Sequence, residues 1–198
     1  MTNWLKDIEL SGKFVTLIPM QKSHRNSLVE AASDGKLWEL WFTSVPSEQT
    51  VDNYIDFALS EKELGRSLPF VVVENETNKI IGSTRFCNAE PEHKRLEIGY
   101  TFYSQSYQRT PVNTECKLLL LSHAFEKLGA IAVEFRTHFF NEASRKAISR
   151  LGAKQDGILR NHRLDSDGTI RDTVVFSILQ NEWKVVKKSL EFKLSRTK

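Results

Sequence analysis

The chain has 198 residues, of which 40% are hydrophobic and 27% are charged, and its formal net charge is +3. This length and composition fit one globular domain with a sizeable core and exclude a disordered or fibrous protein. No run approaches the roughly 20 apolar residues that cross a bilayer, and the first residues lack the basic-then-apolar order of an export signal. We therefore expect a cytoplasmic protein without a membrane partner.

The cysteines and histidines give no sign of a metal site. Cys87 and Cys116 lie within predicted secondary structure and lack the spacing of metal ligands, so we expect reduced packing residues. The five histidines are not spaced as a metal cluster either. Basic residues alternate with apolar ones near residues 184–198, and nucleic-acid binding through this tail ranks last among the functions considered. We therefore expect neither a metal nor a nucleic acid.

The first half of the chain predicts three strands and two helices. A β-branched run predicts a strand over 14–18, and apolar periodicity predicts helices over 22–32 and 51–64. The runs 70–74 and 80–86, which flank a polar turn, predict a hairpin. The two helices would thus precede the main sheet.

The segment 96–102 alternates apolar residues with polar or small ones, which predicts a further strand. The apolar residues that we expect on one face are Leu96, Ile98, Tyr100 and Phe102. Glu97 would then point to the opposite face.

The helix that follows Gln108 has well-marked ends. Thr110 is a suitable N-cap, Pro111 suits the first helical position, and Gly129 lies just past the last turn. The free N–H groups and the dipole at such a start attract phosphate oxygens, and Arg109 adds a positive charge beside them. Taken alone, however, these residues are better explained as a plain helix start with a solvated arginine.

A strand over 131–137 leads into a helix that Asn141 opens and Gly152 closes. Asn141 carries a donor and an acceptor that suit an amide-bearing ligand, but an asparagine here can equally cap its own helix. The sequence does not choose between these two roles. Ser144 lies one turn further on and stands out only because of this neighbour.

The C-terminal part predicts a hairpin and a last helix. Residues 160–171 read as a hairpin with Asp167-Gly168 at its turn. Residues 181–194 carry an apolar stripe at helical spacing amid lysines. This helix would pack on the domain or on a second subunit, so a homodimer is a candidate. A membrane-surface role fits less well because the stripe is narrow.

Six motifs stand in a characteristic order and spacing. They are Ile98-Gly99-Tyr100-Thr101, Gln108-Arg109-Thr110-Pro111-Val112-Asn113-Thr114-Glu115, His123-Ala124-Phe125, Asn141-Glu142-Ala143-Ser144-Arg145-Lys146-Ala147, Arg150-Leu151-Gly152-Ala153, and Arg171-Asp172-Thr173 before a last strand that we expect to end at Glu182-Trp183. With them, residues 14–183 resemble the GNAT superfamily of acyl-CoA-dependent N-acetyltransferases. Within it, the chain is similar to the ribosomal-protein N-terminal (alanine and serine) acetyltransferase branch.

The resemblance implies an α/β (α+β) fold. Its twisted, mixed, mostly antiparallel sheet would have six to seven strands, flanked by about four helices and a C-terminal helix. The two central parallel strands, 96–103 and 131–138, would splay apart and admit the pantetheine arm. Residues 1–198 would form a single acyl-CoA N-acyltransferase-like domain, with a core over 13–180 and a C-terminal helix and tail over 181–198.

The resemblance also implies acetyl-CoA as cosubstrate and assigns the residues that bind it. Main-chain N–H groups around Thr101, Phe102 and Tyr103 would hold the pantetheine and the thioester carbonyl, and Asn141 would contact the pantetheine. The residues implied in pyrophosphate binding are Gln108, Arg109, Thr110, Val112, Asn113 and Thr114.

The chain departs from the family pattern at two places. Pro111 and Asn113 stand where the phosphate loop usually has glycine or another small residue, which restricts the backbone. A catalytically silent acyl-CoA-binding or protein-interaction module is therefore the alternative to an enzyme. Ile148 stands where many members have a tyrosine that protonates the leaving thiolate, and Ser144 is the substitute that we assign to this role.

Glu97 is the candidate general base for a primary amine that attacks the thioester, although a sheet-face carboxylate paired with a cation is an equal explanation. The acceptor side would be lined by 38–44, the helix from Val51 and the 160–171 hairpin. Cations that could meet an acidic acceptor, or simply be solvated, are Arg85, Arg160 and His162. The sequence does not choose among a protein N-terminus, a small amine and an antibiotic.

Overall fold

The computed structural model describes residues 4–165 and 167–196. Within these residues, eight strands form one sheet. The strands are β1 (Leu10–Ser11), β2 (Val15–Pro19), β3 (Leu68–Glu74), β4 (Ile80–Glu90), β5 (Arg95–Tyr103), β6 (Ala132–His138), β7 (Lys154–Leu164) and β8 (Ile170–Leu179). The α-helices are α1 (Arg25–Ser33), α2 (Val51–Glu63), α3 (Val112–Ser122), α4 (Glu142–Leu151) and α5 (Gln180–Ser195).

The sheet is mixed and mostly antiparallel. Its strand order is β1-β2-β3-β4-β5-β6-β8-β7, and every neighbouring pair is antiparallel except β5 and β6. The predicted fold class is thus confirmed. The described residues form one strand more than the predicted six to seven, and the two residues of β1, which pair with β2, have no strand-like pattern of their own.

Two hydrophobic clusters cover the two faces of the sheet. Helices α3, α4 and α5 pack on one face, and α1 and α2 pack on the other. Neighbouring residues of β3 show the alternation, because Phe70 belongs to the first cluster and Val71 to the second. Each fully buried side chain such as Leu28 or Leu120 contributes about 1.5–3 kcal/mol relative to exposure.

The C-terminal helix packs back on the fold. Trp183 of α5 stacks on Phe125, which follows α3, with ring centroids 5.2 Å apart. Val186 and Leu190 are buried on the same side of α5, so the prediction that the last strand ends at Glu182-Trp183 was wrong, because these residues already belong to the helix. Among the helices of the described residues, none combines the length and the apolar character that crossing a membrane requires.

The parallel strands β5 and β6 pair over only three residues. Their register runs from Arg95 opposite Ala132 to Glu97 opposite Glu134 and stops there. Beyond this point β5 stays paired with β4, and β6 stays paired with β8 as far as its last residue. The two strands therefore part in a wedge after Glu97, and the predicted splay is confirmed.

A β-bulge interrupts β5 at the start of the wedge. Arg85 of β4 lies opposite Gly99 and Ser83 lies opposite Phe102, so β5 has one residue more than β4 in this stretch. Tyr100 adopts φ +50 within it. Phe102 consequently packs on the α1 and α2 side, while Tyr103 joins the other cluster with Leu96 and Ile98. The predicted single apolar row was wrong beyond Ile98, because alternation in one strand cannot reveal an extra residue relative to its partner.

Candidate active site

Glu97 is a buried carboxylate at the point where β5 and β6 part. Only 8% of the residue is exposed, Asn88 Nδ2 donates to its Oε2 at 2.8 Å, and Arg136 Nε lies 3.6 Å away. Burial raises the pKa of Glu97, and the bond from Asn88 and the charge of Arg136 oppose that rise. The carboxylate thus has the cationic neighbour that one of the two interpretations expected, and its role as a general base stays a prediction.

Gly99 leaves the room that this carboxylate occupies. A Cβ at Gly99 would lie 3.0 Å from Glu97 Oε1 and 3.2 Å from the sulfur of Cys87. A side chain at Gly99 would therefore require the carboxylate or the thiol to shift slightly. The absence of a side chain at Gly99 therefore helps to define the position of Glu97.

A chain of charged side chains continues from Glu97 across the open face of the sheet. Glu134 bonds both Arg95 and Arg136, and the Arg136 Nη2 contact is 3.0 Å long. These side chains border a cleft of about 410 Å³ whose remaining walls come from β7 and β8. Arg136 links this cleft to the Glu97 carboxylate.

Arg85 is buried beneath aromatic rings rather than solvated. It is 1% exposed, and its guanidinium carbon lies 4.3 Å from the ring centroid of Tyr54 and 4.1 Å from that of Tyr100. The Tyr54 hydroxyl also donates to the main-chain oxygen of Tyr100 at 3.3 Å. The expectation of a solvated cation was wrong, and these contacts hold the bulge of β5 against α2.

Lys117 was missed from the sequence. It projects from α3 under β5, is 4% exposed, and donates to Thr101 Oγ1 at 2.6 Å and to Thr84 Oγ1 at 3.1 Å. Desolvation lowers its pKa to about 8. A signal was present, since Lys117 stands among the buried positions of α3, four residues before the apolar Leu121.

The side chains of the three residues assigned to the thioester are committed to packing. Thr101 bonds Lys117 and Thr84, and Phe102 and Tyr103 enter the clusters on opposite faces. On the β6 side this part of β5 has no strand partner. The edge of β5 thus offers main-chain groups to the wedge. Binding of the pantetheine and the thioester carbonyl by Thr101, Phe102 and Tyr103, as the family resemblance implies, requires such free main-chain groups.

The start of α3 lies directly after β5. Gln108 Nε2 donates to the carbonyl oxygen of Tyr103 at 3.2 Å, and Arg109 is exposed with φ +62. The helix begins at Val112, one residue later than predicted, because Pro111 occupies the N-cap position although its dihedral angles are helical. Thr110 caps only weakly, with 3.4 Å between its Oγ1 and Val112 N.

The first turn of α3 leaves donors free. Among the described residues, the N–H groups of Asn113 and Thr114 have no acceptor. The hydroxyl of Thr114 accepts from Arg150 of α4 at 3.2 Å, and Val112 is buried. The free N–H groups and the exposed Arg109 make this helix start suitable for an anion.

Asn141 caps its own helix. Its Oδ1 accepts from Ser144 N at 3.0 Å, which is one of the two roles that the sequence left open. Its Nδ2 donates to no described residue and can therefore still meet a ligand carbonyl. The Ser144 hydroxyl likewise has no partner in the described part of the chain, and Ile148 is buried in the core.

Aromatic side chains gather where β6 ends and the wedge is widest. The ring of Trp41 lies 5.0 Å from that of His138 and 6.0 Å from that of Phe140. Trp41 and Phe140 are each 63% exposed, whereas Trp38 packs against the α1 and α2 cluster. These exposed rings form a candidate acceptor wall.

The other two cations proposed for an acidic acceptor have partners. Arg160 Nε lies 2.5 Å from Asp172 Oδ2, and His162 Nδ1 lies 3.0 Å from Thr173 Oγ1.

The predicted turn at Asp167-Gly168 is confirmed, with φ +84 at Gly168, although Ser166 beside it lies outside the described residues.

The comparisons with known proteins agree with this geometry. The family model described as an acetyltransferase (GNAT) domain matches residues 15–154. The chain belongs to the GNAT acetyltransferase family. An uncharacterized N-acetyltransferase of Bacillus subtilis, YoaA, is 28% identical over 133 residues, which are 67% of this chain and 73% of YoaA.

Solved structures of GNAT proteins have the same fold. A GCN5-related N-acetyltransferase from Brucella melitensis superposes with a TM-score of 0.87 at 27% identity, covering 97% of this chain and 87% of that one. RimL, a ribosomal-protein alpha-N-acetyltransferase in complex with coenzyme A, gives a TM-score of 0.73 at 16% identity over 87% and 98% of the two chains. The first likeness supports an acetyl-CoA-dependent acetyltransferase, and the second shows the fold alone.

Proposed function

We propose that this GNAT enzyme transfers the acetyl group of acetyl-CoA to a primary amine by direct attack in a ternary complex. The observation that carries the proposal is the parting of β5 and β6 after Glu97. The pantetheine would enter the wedge and bond the free edge of β5 around Thr101, Phe102 and Tyr103. The diphosphate would meet Arg109 and the free N–H groups of Asn113 and Thr114.

Glu97 is the general base in this proposal. The amine nitrogen attacks the thioester carbon, the C=O electron pair moves to oxygen, and Glu97 takes the amine proton directly or through a water. The oxygen electron pair then re-forms the C=O bond as the C–S bond breaks, and the C–S electron pair leaves with the CoA sulfur. Main-chain donors of β5 aimed at the oxygen would supply the larger part of the rate enhancement. Ser144, whose hydroxyl is free among the described residues, is the proposed donor to the sulfur.

The acceptor is a protein N-terminus or a small primary amine. An α-amino group, with a reference pKa of about 8, is partly neutral near pH 7, whereas a lysine side chain at about 10.4 needs more help from a base. The exposed rings of Trp41 and Phe140 at the open end of the wedge favour an acceptor with an apolar part. The fold shared with RimL makes ribosomal-protein N-termini the first peptides to test.

The test is a thioester-consumption screen over N-terminal peptides, polyamines and aminoglycosides. We expect Asn141→Ala to raise the KM for acetyl-CoA and Glu97→Gln mainly to lower kcat. Unchanged kinetics in both variants would remove these two assignments. Calorimetric binding of acetyl-CoA without turnover on any amine would favour the silent module, and no binding at all would overturn the proposed activity.

A further inference from the structure

Lys117 is a buried ammonium without a carboxylate partner. It is 4% exposed, and among the described residues no aspartate or glutamate oxygen lies within ion-pair distance of its Nζ. Its hydrogen-bond partners are two neutral hydroxyls, Thr101 Oγ1 and Thr84 Oγ1, which also lie 2.8 Å from each other. Burial of an unpaired charge is costly, so a lysine at this position needs an explanation that packing does not supply.

The Lys117 ammonium lies close to the unpaired part of β5. Thr101 lies in the bulged stretch of β5, next to Tyr100, where β5 has no strand partner on the β6 side. Thr84 holds the other hydroxyl from β4, and the Thr101 hydroxyl lies 3.4 Å from the main-chain oxygen of Gly99. The ammonium is thus fixed by two strands directly behind the strand edge proposed to bind the thioester.

We propose that Lys117 is a positioning residue whose charge, held behind Thr101, stabilises the negative charge that develops on the thioester during acetyl transfer. The inference rests on the proposed function and deepens it. When the amine attacks, the carbonyl oxygen gains a negative charge; when the C–S bond breaks, the sulfur gains it. Lys117 neither gives nor accepts a proton in these steps. It lowers the energy of both anionic species through its field and through the orientation of Thr101.

The groups that face Lys117 stay neutral in the pH range of the test. Cys116 on α3 and Cys87 on β4 are buried thiols, and burial raises the pKa of both, that of Cys116 to about 12. Burial also raises the pKa of Tyr103 on β5. A change in rate with pH that depends on Lys117 therefore reports the ammonium itself.

The charged groups of the neighbouring elements are engaged elsewhere. From α4, Arg150 bonds Thr114, and from α5, Lys187 bonds Glu126. On α3 itself, Glu115 bonds the main chain of the segment that leads into β2. Arg85 of β4 lies under the aromatic rings of Tyr54 and Tyr100.

The experiment measures kcat against pH for the wild type, Lys117→Met and Lys117→Arg with one amine acceptor. Methionine keeps the volume without the charge, and arginine keeps the charge at every pH tested. We expect Lys117→Met to lower kcat on the order of tenfold at pH 7 with the KM for acetyl-CoA changed less than about threefold. The ratio of wild-type to Met kcat should fall towards one between pH 7 and 9.5, because the wild type loses its ammonium with a pKa of about 8. Titration of the acceptor cancels in this ratio.

Three outcomes are decisive. A ratio of wild-type to Lys117→Met kcat that stays constant with pH in an active enzyme overturns the inference about Lys117 but not the proposed function, because a packing role would not titrate. No acetyl transfer by the wild type to any amine overturns the proposed function and this inference with it. If Lys117→Arg does not fold, as judged by its circular dichroism, Thr101→Val against Thr101→Ser replaces it. Valine should lower kcat and serine should restore it, and equal rates for the two would overturn the role of the hydroxyl.

Discussion

Glu97 is a residue whose protonation state depends on its surroundings more than on its type. Burial raises its pKa above the ordinary 4.5, while Asn88 and Arg136 favour the ionised form and oppose that rise. As a base it acts only when ionised, so activity should rise with pH as Glu97 loses its proton. The sequence could nominate this carboxylate, but its neighbours come from other strands and were visible only in the fold.

We predict that the wild-type to Glu97→Gln ratio of kcat/KM rises with pH through a midpoint above 4.5, because titration of the acceptor amine is common to both enzymes and cancels. The substitution should lower kcat on the order of 100-fold, because general-base catalysis typically contributes that much. Steady-state rates between pH 4.5 and 8 measure both effects. A ratio that does not change with pH would assign the titration to another group.

Asn88→Ala offers a matched control for the same titration of Glu97. Asn88 donates to the carboxylate at 2.8 Å and so favours its ionised form. Its removal should move the midpoint to higher pH without abolishing activity above it. A shift to lower pH would contradict this account of the carboxylate.

We expect the buried Lys117 ammonium to destabilise the folded protein. Its pKa of about 8 lies below the ordinary 10.5, so the unfolded chain binds this proton more tightly than the folded one. Below pH 8 the charge therefore favours unfolding, by on the order of 3 kcal/mol, and this penalty fades as the pH rises from 8 to 10.5. We predict that Lys117→Met raises the free energy of unfolding at pH 7 and that the gain shrinks towards pH 10.5.

Urea denaturation at several pH values measures this difference. A gain in stability together with a loss of kcat is the pattern of a residue retained for activity rather than for packing. Lys188→Met, which replaces an exposed lysine of α5, serves as control and should change stability by less than about 0.5 kcal/mol. A wild type more stable than Lys117→Met at pH 7 would contradict the assignment.

At the scale of elements, a single glutamate fastens α3 to the N-terminal strands. The Glu115 carboxylate accepts from the main-chain N–H groups of Lys13, Phe14 and Val15 at 2.8, 2.7 and 2.9 Å. Gly12 makes room for it, because a Cβ there would lie 2.4 Å from Glu115 Cδ. The buried carboxylate thus ties together elements about 100 residues apart in the chain.

We predict that Glu115→Gln lowers the free energy of unfolding by about 2–4 kcal/mol. Glutamine has one acceptor oxygen for three donors, and its NH₂ group would face N–H groups that need an acceptor. Urea denaturation checks this, with Glu191→Gln on the exposed side of α5 as the matched control. A loss below about 0.5 kcal/mol would show that these hydrogen bonds do not hold α3.

We expect the loop between β5 and α3 to contribute to acetyl-CoA binding. Arg109 is exposed and precedes the free N–H groups of Asn113 and Thr114. We expect Arg109→Ala to raise the KM for acetyl-CoA about tenfold at low ionic strength, with kcat little changed, and this loss should shrink as salt screens the charge. Lys184→Ala, at an exposed site on α5, should have no such effect. An equal rise in the KM for acetyl-CoA in both variants would mean that the effect comes from the net charge of the protein and not from the position of Arg109.

Elements with strong local signals could be predicted from the sequence to within a few residues. Helix α4 lies between Asn141 and Gly152 as expected, and α3 begins one residue late. The bulge at Tyr100 could not be predicted, because it exists only relative to β4. The same holds for β1, whose two residues are a strand only by virtue of their partner.

At the scale of the whole molecule, the order of motifs predicted the fold better than any single element did. The motifs that flank β5 and β6 led to the expectation of two parallel strands that part, and pairing indeed ends at Glu97. The burial of Arg85 could not be predicted, because tertiary packing decides which charged side chains lie inside, and the burial of Lys117 was indicated only by its helical spacing to Leu121. Both cations contact the bulged stretch of β5, on opposite faces of the β4 and β5 pair.

In the proposed complex, the wedge between β5 and β6 receives the acyl-pantetheine while the start of α3 binds the diphosphate. A crystal structure with a non-hydrolysable acetyl-CoA analogue tests it most directly. We predict that the arm lies between the two strands, bonded to the main chain of β5 beyond the bulge, with phosphate oxygens at the N–H groups of Asn113 and Thr114. An analogue bound elsewhere, with the wedge closed by side chains, would contradict the account.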